Sequence, residues 1–245
     1  MGKGDERKAI VVGASSGIGR EVAFLLLERG YTVGVAARRE ERLAELKQQY
    51  GEKVEVCCID VTADDATQRL HQLIDRLGGM DLYFHASGVG KQNRELQEDI
   101  ELWTLQTNAL GFTKMVGEAY RYFAEHGGGH LAAISSIAGT KGLGPAPAYS
   151  ATKAFQAVYL QALEQQSLRR GLNISITDIR PGFVDTALLA GDFRYPLMLK
   201  PEKVARDILK AIEHRRHVVV IDWKYRLMTA LWLRLPRWIW RRIPL

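Results

Sequence analysis

A glycine-rich turn, Gly13-Ala14-Ser15-Ser16-Gly17-Ile18-Gly19, joins an apolar run of strand length at residues 9–13 to a segment of helical period at residues 18–29. No other stretch limits the fold as strongly. A strand that passes straight into a helix through glycines starts a βα unit, in which the backbone can turn tightly and approach a ligand. The amides that open the helix then face outward and favour negative charge, such as a pyrophosphate. The spacing is G-x-x-x-G-x-G rather than G-x-G-x-x-G, so by composition alone the motif also fits a structural turn. Its place between strand and helix favours a nucleotide site formed by Gly13, Ser15, Ser16, Gly17, Ile18 and Gly19.

The same alternation runs on. Strand-length apolar runs at residues 32–37, 54–59, 81–86, 131–135, 174–179 and 217–221 are separated by helical periods at 40–50, 66–77, 96–126, 148–170 and 201–213. This order predicts an α/β fold of about seven parallel strands with helices on both faces of the sheet. At 245 residues, 47% of them apolar, the chain holds one such domain and its core but not two. Residues 1–222 are expected to be this domain and residues 223–245 a separate tail. Gly78-Gly79 and Gly127-Gly128-Gly129 read as helix ends, where glycine takes a left-handed conformation. Residues 182–200 have weak periodicity but carry Phe183, Leu188, Leu189, Phe193, Tyr195, Leu197, Met198 and Leu199. Such an apolar loop beside a sheet edge is a candidate lid over a ligand.

At the end of the second strand, where an acid would grip the 2′-hydroxyl of an NAD ribose, the chain has Arg38 and Arg39. Guanidinium groups match phosphate oxygens, so this end of the site suits the 2′-phosphate of NADP(H), with Arg38 the stronger candidate. Arg39 also fits the start of a solvated helix with Glu40, Glu41 and Arg42. Asp60, just past the third strand, has two readings: an acceptor for an adenine amino group, or a cap or turn residue.

Tyr149 and Lys153 lie four residues apart at the start of a predicted helix and share one face of it. A phenol is a poor acid near its ordinary pKa of about 10, but a neighbouring ammonium stabilises the phenolate and lowers that value. The pair is therefore a proton donor with its own tuning group. Ser136, thirteen residues upstream at the end of the fifth strand, can hydrogen-bond a substrate oxygen.

With the glycine turn, Asp60, Asn108, Ser136, Tyr149, Lys153 and Pro181-Gly182 with Thr186 in this order and spacing, residues 7–222 resemble the short-chain dehydrogenase/reductase superfamily. The resemblance implies a single doubly wound, Rossmann-like domain and hydride transfer between a nicotinamide and a carbonyl or alcohol carbon. It further implies that Tyr149 moves the proton, Lys153 binds the nicotinamide ribose, and Ser136 orients the substrate. Asn108 would hold a water of the proton relay, and Pro181, Gly182 and Thr186 would contact the carboxamide end of the cofactor. The helices around Asn108 and Tyr149 would form homodimer or homotetramer faces. One departure stands out: His85-Ala86-Ser87-Gly88 replaces the family's Asn-Asn-Ala-Gly, which puts local support of the sheet in question. His85 itself reads as a packed residue on a buried strand.

The last 24 residues hold Lys224, Arg226, Arg234, Arg237, Arg241 and Arg242 against the single acid Asp222, and so carry most of the net charge of +6. The remainder is nearly neutral, which argues against nucleic-acid binding. The tail also contains four of the five tryptophans, with Leu227, Leu231, Leu235 and Trp238 at helical spacing and Pro236 dividing two short helices. Its arginines forbid a conventional membrane span, while its composition suits the surface of an anionic bilayer. The alternatives are that it packs on the domain, closes the pocket or joins subunits. No secretion signal precedes the first strand, the adjacent Cys57 and Cys58 make no disulfide framework, and no Cys/His spacing suggests a metal. A cytoplasmic enzyme is expected that reduces a hydrophobic carbonyl with NADPH, peripheral on the inner face of a membrane where the tail binds one. A non-catalytic NADP(H)-binding scaffold is the alternative, although binding alone requires no proton donor.

Overall fold

The apolar run beginning at Lys8 becomes β1 (Lys8–Val12), and the glycine turn delivers the chain into α1 (Gly17–Glu28). The computed structural model of the chain describes residues 7–189 and 197–243. From α1 the chain alternates through β2 (Thr32–Ala37), α2 (Glu40–Tyr50), β3 (Val54–Cys58), α3 (Ala66–Leu77) and β4 (Leu82–His85). It continues through α4 (Glu98–Leu105), α5 (Phe112–Glu125), β5 (Gly129–Ile134), α6 (Pro147–Arg169), β6 (Ile174–Arg180), α7 (Pro201–Glu213) and β7 (Val218–Val220). The tail forms α8 (Trp223–Arg234) and α9 (Arg237–Trp240), divided at Pro236 as its sequence suggests.

The strands form one parallel sheet in the order β3-β2-β1-β4-β5-β6-β7. The direction of winding reverses between β1 and β4, and ligands of such sheets bind at the carboxyl ends of the strands flanking that point. One face of the sheet packs Val11, Val33, Val35 and Phe84 against Leu26 of α1, Leu43 and Leu46 of α2, and Ile208 of α7. The other packs Ile10, Tyr83 and Leu131 against Leu70 and Leu73 of α3, Phe112, Met115 and Phe123 of α5, and Leu160 of α6. Because both faces are covered, the strands read as continuous apolar runs rather than alternating ones. Removing one such fully buried leucine typically costs about 2–5 kcal/mol, which is the scale of force holding the strand ends in place.

Two local features differ from the sequence expectation, and a third lies partly outside the described residues. The stretch at 96–126 is not one regular helix: between α4 and α5 lies a π turn, Gln106–Gly111, which places Asn108. Gly129 is the first residue of β5 rather than a helix end, and Gly127 and Gly128 make the preceding turn with φ of +84° and +119°. Of the expected lid, Phe193 and Tyr195 lie outside the described residues; its two flanks are joined by hydrogen bonds from Leu199 N to Phe183 O and from Asp185 N to Leu199 O, both 2.9 Å.

The unusual His85 is packed, as its strand position suggests. Its ring is buried, bonded through Nδ1 to the Tyr83 hydroxyl at 2.9 Å, and set edge-on to Phe112. Burial, reinforced by the charge of Lys153, pushes its pKa down to about 3, so it is a neutral ring at physiological pH. β4 still pairs with both neighbours through His85, opposite Val12 and Ala133. The sheet is thus supported here without the asparagine pair. Among the described residues, no helix is long and apolar enough to cross a membrane.

Candidate active site

Pro147 starts α6 at the position where a missing backbone N–H costs nothing. The opening of the helix is fixed from outside by Glu101 of α4, whose carboxylate accepts a hydrogen bond from Ala148 N at 3.1 Å and complements the positive end of the helix. Ser150 Oγ accepts a further bond from Leu143 N, tying the preceding loop to the first turn. Tyr149 and Lys153 project from this anchored turn. The half-buried Tyr149 ring lies against Gly90, where a Cβ would come within 2.7 Å of ring atom Cδ2. Only a residue without a side chain leaves room for the ring there.

Lys153 is 4% exposed, and its Nζ lies 5.7 Å from the Tyr149 ring centroid. Nζ donates to Ile134 O at the end of β5 (3.0 Å) and to Gln156 Oε1 (2.9 Å). Burial pulls its pKa down to about 8, while the charge of Asp178 acts in the opposite direction. Gln156 is itself fully buried and donates from Nε2 to Asn108 O at 2.8 Å. The Asn108 side chain holds the loop after β4: its Oδ1 accepts from Val89 N (2.8 Å) and its Nδ2 donates to Val89 O (2.7 Å) and Thr152 Oγ1 (3.2 Å). The resemblance assigns a water to Asn108; the structure sets the Gln156 amide on its carbonyl.

Ser136 follows β5 with extended backbone, and its Oγ accepts from Ala138 N at 3.0 Å, capping the short helical turn Ile137–Thr140. That bond uses a lone pair and leaves the hydroxyl hydrogen for donation. Ser135, by contrast, donates its hydroxyl to Asp178, which also pairs with Arg180. The two adjacent serines therefore differ: the Ser135 hydroxyl is engaged by Asp178, while that of Ser136 keeps its hydrogen.

The glycine turn packs against the exit of β4. Gly13 has φ of +94°, and a Cβ there would lie 2.6 Å from Ser87 N. Gly19 faces the Gly13 carbonyl, Gly17 faces the Thr186 methyl, and Ile18 packs on the core. Ser16 is the N-cap of α1 and makes no side-chain cap bond. Instead Arg39 Nη2 donates to Ser15 Oγ (3.0 Å) and Ser16 Oγ (2.7 Å), so its guanidinium lies on the turn rather than on a solvated helix face. Arg38, the stronger sequence candidate, is exposed and makes no side-chain hydrogen bond among the described residues. Asp60 Oδ1 accepts from Thr62 N (2.9 Å) and Thr62 Oγ1 (2.8 Å), which makes it a turn residue. Burial works to raise its pKa, but the Thr62 bonds and the nearby Arg38 outweigh it and the net shift is downward.

Beyond β6, Pro181 is buried and its carbonyl accepts from Ile137 N at 3.2 Å. Gly182 has a role the sequence did not reveal: a Cβ there would lie 2.2 Å from the ring of Tyr225 in α8. Tyr225 is buried, and its hydroxyl donates to Leu197 O at 3.1 Å. Further along the tail, Trp232 Nε1 donates to Thr140 Oγ1 and Trp240 Nε1 to Gly142 O, both at 2.9 Å. Lys141 Nζ returns a bond to Leu235 O at 2.8 Å. The tail thus braces the loop between Ser136 and Tyr149. Tyr225, Thr229 and Trp232 face inward, while Trp223, Leu227, Leu231 and Trp238 are exposed. Most of the stripe seen in the sequence therefore faces away from the domain.

Three contributors escaped the sequence reading: Gly90, Glu101 and Gln156. Of these only Gln156 carried a signal, its spacing of three residues from Lys153 on one helix face.

Residues 7–194 match the short chain dehydrogenase family. An uncharacterized oxidoreductase of Myxococcus xanthus is 34% identical over 237 residues, spanning 94% of this chain and 93% of its own length. Another, of Staphylococcus epidermidis, is 30% identical over 224 residues, 90% of this chain and 96% of its own. In fold, the structure of ElxO with NADP bound has a TM-score of 0.80 at 22% identity, covering 91% of this chain and 99% of that one. An actinorhodin polyketide ketoreductase with NADPH has a TM-score of 0.78 at 23% identity, covering 90% and 97%. The sheet order, the glycine turn at its switch point and these likenesses agree: the chain is an oxidoreductase that belongs to the short-chain dehydrogenase/reductase family.

Proposed function

We propose that the protein is an NADPH-dependent reductase of hydrophobic ketones or aldehydes, with Tyr149 as its proton donor. The observation that carries this reading is the buried Lys153 ammonium beside the Tyr149 ring, at the same strand edge as the Ser136 hydroxyl. A charge is costly to bury, and the sheet and α6 hold it where it can stabilise a phenolate.

The turn fits a dinucleotide. Gly13 lets the turn sit directly against the exit of β4, where a side chain would collide with the Ala86–Ser87 backbone, the amides after Ser16 open a helix, and Arg39 lies across Ser15 and Ser16. Gly13, Ser15, Ser16, Gly17, Ile18 and Gly19 would hold the pyrophosphate, Arg38 and Arg39 the 2′-phosphate, and Asp60 the adenine. Pro181, Gly182 and Thr186 would border the carboxamide, and Tyr149 and Lys153 the adjoining ribose. When bound, NADPH supplies the hydride. Ser136 donates a hydrogen bond to the substrate carbonyl oxygen and fixes it beside Tyr149. Tyr149 gives that oxygen its proton, and Lys153 stabilises the phenolate left behind. Asn108 keeps the loop after β4 in register with α6. The reverse sequence oxidises an alcohol.

Two surfaces extend the reading. On α4, α6 and the π turn between α4 and α5, Trp103, Leu110, Phe155 and Val158 are exposed, which favours a homodimer or homotetramer through these helices. Residues 1–222 would form the catalytic unit, and residues 223–245 a tail that braces its substrate loop and rests on an anionic membrane. Trp223, Leu227, Leu231 and Trp238 would enter the interface, with Lys224, Arg226, Arg234, Arg237, Arg241 and Arg242 against the headgroups. That arrangement would bring a lipidic carbonyl close to the apolar stretches at 182–188 and 197–200.

Three measurements test these points. In a screen of hydrophobic ketones, aldehydes and 3-oxoacyl thioesters, NADPH should be consumed at least about tenfold faster than NADH at equal low concentration, as expected for a charged hydrogen bond. The preference should shrink in Arg38→Ala and Arg39→Ala; equal use of both cofactors contradicts the assignment. Light scattering should give a mass two or four times 27.5 kDa, and a monomer excludes the interface. The protein should pellet with phosphatidylglycerol-containing vesicles at low salt. Equal recovery for the variant carrying Trp223→Ser, Leu227→Ser and Leu231→Ser together removes the membrane role.

A further inference from the structure

We infer that Gln156 is a positioning residue for the proton-transfer site: its side-chain amide bridges the Lys153 ammonium to the Asn108 carbonyl and holds the cation against Tyr149. The inference rests on the reading of Tyr149 as proton donor and Lys153 as its cation.

The chemistry of the three groups fixes the sense of the bridge. Asn108 O is an acceptor only and an ammonium is a donor only, so the Gln156 amide must turn its NH2 to the first and its oxygen to the second. An amide of this length meets both demands at once and carries no titratable group of its own. The bridge ties three elements together. Gln156 lies one turn after Lys153 on α6, Asn108 belongs to the π turn, and the second bond of Nζ runs to the end of β5. The π turn interrupts the regular helix ladder at that point, a device often found where a helix serves a site.

With Ile134 O and Gln156 Oε1 each accepting one N–H, the third proton of the ammonium is left for the Tyr149 side. The amide also stabilises the charged form of a lysine that burial works to neutralise. A water could occupy a similar bridging place, but it would exchange and reorient. An amide stays in one orientation and cannot pass a proton by turning over, so the bridge acts as an anchor. Because Gln156 is fully buried, it takes no part in binding from solvent and acts through Lys153.

The test reads Tyr149 directly. The ultraviolet absorbance of ionised tyrosine is titrated in the intact protein and in Tyr149→Phe, and the difference reports the half-point of Tyr149 alone. The same pair is then made in the background of Gln156→Leu, which keeps the volume and removes both polar contacts, and of Gln156→Ala, which leaves space for a bridging water. The half-point should rise by about one pH unit in Gln156→Leu and by less than about half a unit in Gln156→Ala, since a nearby fixed cation favours the phenolate. Turnover should follow the same order, with a loss on the order of tenfold or more in Gln156→Leu, as for one hydrogen bond to a charged group. A packing role predicts the opposite order, because the cavity is in the alanine variant. An unmoved half-point in Gln156→Leu, or a larger shift in Gln156→Ala, overturns the inference. If Gln156→Leu does not fold, Gln156→Met replaces it, with the same two outcomes. An ordinary half-point near about 10 for Tyr149 in the intact protein would instead overturn the donor reading beneath it.

Discussion

A buried cation organises this molecule. The Lys153 ammonium has almost no access to water, and an isolated charge in such a place would lose its proton rather than remain charged. It is kept by acceptors from separate parts of the chain: the carbonyl that ends β5 and the Gln156 amide, with the Asp178 carboxylate of β6 adding its charge from further away. Each of these must arrive at one point, so the ends of two central strands, the π turn and the first turns of α6 have fixed relative positions. The remaining parts of the site follow from that. Asn108 holds the β4 exit, Glu101 holds the start of α6, and Ser136 caps the turn that leads away from β5.

The second constraint comes from the tail. Tyr225 presses so closely on Gly182 that no side chain fits between them, and two indole N–H groups fasten the loop between Ser136 and Tyr149. A carboxyl-terminal segment is thereby tied to the loop between Ser136 and Tyr149, and its outer face is left apolar and cationic. The same helix can serve the fold with one face and a partner surface with the other. Its inward residues Tyr225, Thr229 and Trp232 hydrogen-bond to the domain or within the helix, which is what a half-buried amphipathic segment requires.

Most of the architecture was legible in the chain because parallel strands covered on both faces are plainly apolar and several helices between them, α3, α5 and α7 above all, carry a clear apolar stripe. All seven strands fall on apolar runs, with boundaries displaced by a residue or two at several ends. The π turn at Gln106–Gly111 was not legible: it is a local change of ladder inside an otherwise helical pattern, without proline or glycine at its start. The Tyr149–Lys153 spacing was visible because both groups sit on one helix face. What made Gly90 necessary was not, since its reason is the ring of Tyr149, which arrives from far along the chain. Likewise Arg39 fits both a 2′-phosphate site and the start of a solvated helix in the sequence; only the fold brings the glycine turn beneath it. Gln156 shows the middle case, a residue at the right spacing whose meaning depends on where the Asn108 carbonyl points.

The central claim is that a phenol held beside this cation delivers the proton, and replacing that one hydroxyl tests it most directly. With a ketone that the protein reduces, Tyr149→Phe should lower turnover by a factor of about 100 to 10,000, the range for removing a general acid, while NADPH titrated by fluorescence binds within about threefold of its original affinity. Turnover within about tenfold of the original protein, with binding intact, would show that the proton comes from elsewhere.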